Sequence, residues 1–156
     1  MKDAEISMKK LLFFLLIGCV SCSLFDEMRK NSFVYADGQT LPLVVPKGFR
    51  KANVQTDAAG NRIQVFSYAG GGTLYFYYGD TTKEYQPIDT LMHIAKFYPE
   101  NVLFYKGQDN SNGSFWRESR YKNFRFGYKN VSADREGWFD SSVNYAAWQT
   151  LKAPIP

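Results

Sequence analysis

The sequence predicts an α+β domain: a mainly antiparallel β-sheet of about six to eight short strands, with one helix packed on a face. Three observations carry this expectation. Short runs rich in Phe, Tyr, Val and Leu recur along the chain, and aromatic residues make up 17% of its 156 residues. Such side chains suit a pleated, half-buried surface. Clusters of Gly, Pro, Asn and Asp separate the runs. A single segment, residues 87–98, repeats its apolar residues at helical spacing.

The elements follow in order. Residues 41–45 form a compact apolar run closed by Pro46, Lys47 and Gly48. A strand near residues 49–54 leads into the turn from Asp57 to Asn61, where Gly60 and Asn61 tolerate positive φ. Residues 62–68 alternate, with Ile63, Val65 and Ser67 on one face and Gln64, Phe66 and Tyr68 on the other. Ala69, Gly70, Gly71 and Gly72 then turn the chain into a returning strand over residues 73–78, which makes a hairpin. The helix starts at Pro87, a residue suited to a first helical position, with Asp89 at the positive end of the dipole. Ile88, Leu91, Met92, Ala95 and Tyr98 line its apolar face, and Pro99 ends it. Strands resume over residues 102–105, 114–121, 124–128 and 137–145. Residues 153–156 read as a frayed tail.

The N-terminus suggests how the protein is held. Met8, Lys9 and Lys10 precede the apolar run from Leu11 to Ile17, which leads to Gly18 and Cys19. A basic patch, a short apolar segment and a small residue describe a secretory signal. Leu16-Ile17-Gly18-Cys19 resembles the lipobox of bacterial lipoproteins. The resemblance implies cleavage before Cys19, a membrane lipid on its thiol, and residence in the cell envelope. Val20 follows the cysteine, and in the familiar enteric sorting rule this implies the outer membrane. A membrane-spanning helix needs roughly 20 apolar residues, about twice what is present. An unlipidated cleaved signal, lipidation at Cys22 and translation from Met8 stay open as alternatives. The expected organisation is a signal peptide over residues 1–18, a lipidated tether over 19–31, and one α+β domain over 32–156.

Removal of 18 residues leaves 138, enough for one domain with its own core. Both cysteines, Cys19 and Cys22, lie at the tether, so the body is expected to be stable without disulfides. Processing removes three lysines and two carboxylates, and the formal charge falls from +4 to +3. A charge this small is ordinary for a soluble domain and does not select a polyanionic partner.

The candidate binding surface is the run from Phe115 to Lys129, where aromatic residues alternate with Arg and Lys. Trp116, Arg117, Arg120, Arg125 and Lys129 would present cationic and aromatic groups to a glycan or a lipid headgroup. Export argues against nucleic acid. The plainer reading is a half-buried strand, with Phe124, Phe126 and Tyr128 inward and Arg125 and Lys129 outward. Enzyme chemistry has little to stand on, and no catalytic residue, metal or cofactor is expected. His93, the one histidine, falls on the polar side of the expected helix beside Asp89. Asp134, Glu136 and Asp140 cluster but lack the spacing of a calcium loop. The glycines at 70–72 lack the lysine and helix of a phosphate loop.

Thr56-Asp57-Ala58-Ala59-Gly60-Asn61-Arg62, with Phe66-Ser67-Tyr68, resembles one unit of the tyrosine-aspartate repeats of bacterial Rhs-type shell proteins. A second copy is not found, so the segment reads as hairpins sharing turn chemistry. The functional expectation is a non-catalytic, membrane-anchored interaction or accessory subunit with an envelope protein partner. The alternatives are a carbohydrate- or envelope-polymer-binding module and an immunity-type inhibitor.

Overall fold

A computed structural model describes residues 27–35, 37–56, 58–79, 94–97 and 103–152. Strands β1 (Met28–Val34) and β2 (Thr40–Pro46) form a two-stranded antiparallel sheet. Seven more strands form a second sheet: β3 (Phe49–Thr56), β4 (Arg62–Tyr68), β5 (Thr73–Tyr78), β6 (Ile94–Phe97), β7 (Leu103–Gln108), β8 (Phe115–Tyr121) and β9 (Phe124–Val131). The helix α1 spans Glu136–Lys152. The fold is α+β, with antiparallel sheets and one described helix packed against them, as the composition and turn spacing predict. Among the described residues no helix is long and apolar enough to cross a membrane.

The large sheet runs in the order β3-β4-β5-β9-β8-β7-β6. It is two meanders, β3–β5 and β6–β9, joined where β5 and β9 pair antiparallel. The first turns as expected at the glycines: Gly70 and Gly71 adopt φ of +77° and +85°, a region that disfavours residues with a Cβ. Period-two alternation then builds the core. Phe66 faces Leu74, Leu74 faces Tyr128, and Phe76 faces Phe126 across the ladder. All of these side chains are buried.

The β1–β2 hairpin and α1 cover that aromatic face. Phe33, Leu41, Leu43 and Val45 from the hairpin and Phe139, Val143 and Ala146 from α1 join Phe66, Phe76, Phe124 and Phe126 in one cluster. The rings meet edge to face: Phe33 with Phe124 at 6.4 Å and Tyr68 with Phe139 at 4.8 Å between centroids. Ser142 of α1 donates to the Val44 carbonyl at 2.5 Å and Tyr68 of β4 to the Pro46 carbonyl at 2.9 Å, so two buried hydroxyls tie β2 to α1 and to the large sheet.

Four expectations are corrected. Residues 137–145 lie in α1, not in a strand. The buried residues Phe139, Ser142, Val143, Ala146 and Thr150 follow a helical period, which groups the apolar positions better than alternation does. Residues 94–97 form β6 at the sheet edge, paired with β7 from Ile94↔Lys106 to Phe97↔Leu103, where a helix was expected. The rest of that expected helix lies outside the described residues. Residues 28–31, expected in a tether, belong to β1. Finally, Arg125 is 1% exposed, not turned to solvent. Strand β9 is central in the seven-stranded sheet and is buried on both faces from Phe124 to Tyr128.

Candidate interaction surface

The structure separates the cationic-aromatic residues of the 115–129 run. A register shift between Phe115 and Arg117 sets Arg117 opposite Tyr128 on the α1 face. Arg120 faces Arg125 directly across the ladder, on the opposite face. Trp116 and Lys129 are half-buried. Cys19 and His93 lie outside the described residues.

Each buried arginine is placed by local chemistry. Arg117 reaches α1, bonding Asp140 at 3.0 Å and Asn144 at 2.7 Å. Like charges directly opposite one another repel, so the Arg120–Arg125 pair needs a counter-charge. Buried Glu118 is an anion on that face; it accepts from Arg120 Nε and, at 3.2 Å, from the Tyr75 hydroxyl. Gly127 lies in register between Tyr75 and Glu118. Its missing side chain lets the Tyr75 hydroxyl pass over β9 to reach the carboxylate.

The densest polar site centres on Asp140. Its carboxylate accepts from Lys106 at 2.6 Å, Arg117 at 3.0 Å and the Tyr128 hydroxyl at 2.9 Å. Lys106 also pairs with Glu136 at 2.6 Å, one helical turn earlier. Burial alone would raise the Asp140 pKa, but the hydrogen bonds from Lys106, Arg117 and Tyr128 and the Arg117 charge hold it below the usual carboxylate value. Burial opposes the charge on Lys106, yet its bonds to Asp140 and Glu136 raise its pKa. Burial, aided by the Asp140 charge, pushes the Tyr128 phenol up. The arrangement keeps Asp140 charged, Lys106 protonated and the Tyr128 phenol neutral near neutral pH, and it ties α1 to β7, β8 and β9. In the sequence Glu136 and Asp140 stand with Asp134 as acidic neighbours. The informative signal was their four-residue spacing, which on a helix aims both at one basic cluster. Among the described residues no group of three or more His, Cys, Asp or Glu is placed to hold a metal ion.

Strand β3 is one of the two edge strands of the large sheet, opposite β6. It is eight residues long and pairs with β4 along one edge only. Among the described residues no strand pairs with its outer edge. Six of its residues are exposed, Val54 by 48%. Arg50 and Lys51 flank the start of this edge, a common guard against indiscriminate strand pairing. No family model matches the chain, and neither curated proteins nor solved structures give a match.

Proposed function

We propose that this protein is a lipid-anchored envelope protein that acts without catalysis, as an accessory subunit docking a protein partner along β3. The carrying observation is the outer edge of the eight-residue strand β3, which no strand pairs among the described residues and whose backbone groups offer a template for strand addition. Anchoring through lipid on Cys19 supports the same reading, because tethering confines the edge to a membrane surface and raises the local concentration of partners there. Val20 supports an outer-membrane address.

The test is co-purification from detergent-solubilised membranes. Wild-type protein should bring down a stoichiometric partner, and Val54→Lys should lose it while leaving the melting temperature within a few degrees. Recovery of wild-type protein alone, or retention of the partner by Val54→Lys, overturns the β3 reading. Mass spectrometry of the mature N-terminal peptide checks the anchor separately. Lipid on Cys19 is expected; an unmodified Cys19 or a chain starting at Cys22 refutes it. Sucrose-gradient fractionation checks the address, and recovery with inner-membrane markers counts against it.

A further inference from the structure

At one end of the large sheet, three loops border an open groove of about 480 Å³. Gly70 comes from the β4–β5 turn, Asn112, Gly113 and Ser114 from the β7–β8 turn, and Asn130, Ser132 and Ala133 from the end of β9. A smaller recess of about 110 Å³ shares Gly70, Asn130 and Ser132 and adds Arg135 and Phe139. The larger volume lies within the range of small-molecule sites, about 300–1,000 Å³.

The lining has a definite chemistry. Asn112 spends its carbonyl oxygen on the Ser114 amide at 2.8 Å, which leaves its NH2 group toward other partners. The β7–β8 turn is held in shape by Asp109, which accepts from the Ser111 amide and hydroxyl, and by the Gln108 side chain donating to the Gly113 carbonyl. Asn130 keeps a left-handed backbone at φ +56° and is exposed. Among the described residues no carboxylate lines either compartment. Arg135 is the one charged residue among the described lining groups. Its guanidinium lies 5.1 Å from the Tyr68 ring centre, 5.6 Å from that of Phe139 and 5.8 Å from that of Trp138. Among the described residues it has no ion pair and no side-chain hydrogen bond. Three rings therefore hold the cation in place while its N–H donors stay unspent.

We propose that this groove and the adjoining recess together bind a saccharide unit bearing one carboxylate, with Arg135 in the recess pairing the carboxylate and Asn112, Ser114, Asn130 and Ser132 meeting the hydroxyls. Amides and hydroxyls can both give and accept hydrogen bonds, as sugar hydroxyls do. A guanidinium matches a carboxylate through two parallel hydrogen bonds. A neutral sugar would leave Arg135 unmatched, and a bare anion would leave four polar side chains unused. The site is separate from β3, so either inference can fail alone.

The test is an amide-shift NMR titration of the ¹⁵N-labelled full chain in detergent, at fixed ionic strength, with glucuronate, glucose and inorganic phosphate as probes. Glucuronate should give saturable shifts at Gly70, Gly113, Asn130 and Ser132, with an affinity at least about tenfold above that for glucose. Arg135→Gln should erase that preference by weakening glucuronate to the level of glucose. Arg135→Lys, which keeps the charge among the rings, should retain part of it and controls for a local packing defect. Asn130→Gly keeps the left-handed backbone and removes the amide, so it should weaken both sugars alike. Phosphate binding as tight as glucuronate, with glucose silent, would make this an anion site and overturn the saccharide assignment. Absence of saturable shifts, or shifts confined to other loops, would overturn the site itself.

Discussion

At the scale of single residues, the polar groups inside this domain do structural work. Asp140 gathers three donors from three strands, so Asp140→Ala leaves Lys106, Arg117 and Tyr128 short of an acceptor at once. Removing a partly buried carboxylate of this kind should cost about 3 kcal/mol at neutral pH, read from chemical denaturation. The pH dependence has a defined sign. The folded pKa of Asp140 lies below its ordinary value of 3.8, so its contribution is complete above that value and fades as pH falls through the folded one. Lys106 is raised above 10.5, so its contribution is complete below that value and fades as pH rises through the folded one. Wild-type stability should therefore fall on acidification below about pH 4, and Asp140→Asn should show a shallower fall. An equal acid dependence in the two proteins would remove Asp140 from the account. Gly127 makes the opposite kind of demand. A Cβ there would sit 2.0 Å from the Arg117 carbonyl oxygen and 2.7 Å from the Tyr75 hydroxyl. Gly127→Ala should destabilise by about 3 kcal/mol. Adding Tyr75→Phe should not rescue it, because the backbone clash remains.

At the scale of elements, the seam between the meanders is where burial counts most. Phe126 is fully buried and faces Phe76 across the β5–β9 ladder. Phe126→Ala should cost about 3–5 kcal/mol in thermal or urea denaturation, since the packed rings around it cannot collapse into the space. A negligible effect would mean that the strand register is wrong by one residue. Strands β2 to β5 were legible because each carries alternation closed by strong turn residues. The helix was not. In residues 137–145 both a strand and a helix place apolar groups together over a short window, and only the continuation to Ala146 and Thr150 decides between them. Arg125 misled for a different reason. Alternation tells which side chains share a face, but not whether the second face is covered, and a central strand can be buried on both. The same limit hid the candidate sites. The open edge of β3 depends on strand order, and the groove at Arg135 depends on three loops that are distant in sequence. Neither property is encoded in a local pattern.

At the scale of the molecule, the question is whether the β1–β2 hairpin is an appendage near the N-terminus or part of the folding unit. Its sheet is separate, and it does not pair with β3. Its side chains nevertheless enter the common core: Phe33 is fully buried, packs edge to face on Phe124 and Tyr35, and sits in one cluster with Phe66 and Phe139. Tyr35 in turn packs on Tyr78 at 5.1 Å, and burial lifts its phenol to about 12. Without the hairpin the aromatic face of the large sheet would have α1 as its sole described cover. Small domains unfold as one unit when such contacts bridge all their parts. Phe33→Ala should therefore lower the stability of the whole domain by about 3–5 kcal/mol and leave a single transition. Far-ultraviolet circular dichroism follows the sheets, and tryptophan fluorescence follows Trp116, Trp138 and Trp148, all outside the hairpin. Coincident curves from the two probes, both shifted by the substitution, are the expected result. A tryptophan curve unmoved by Phe33→Ala would make the hairpin an independent arm.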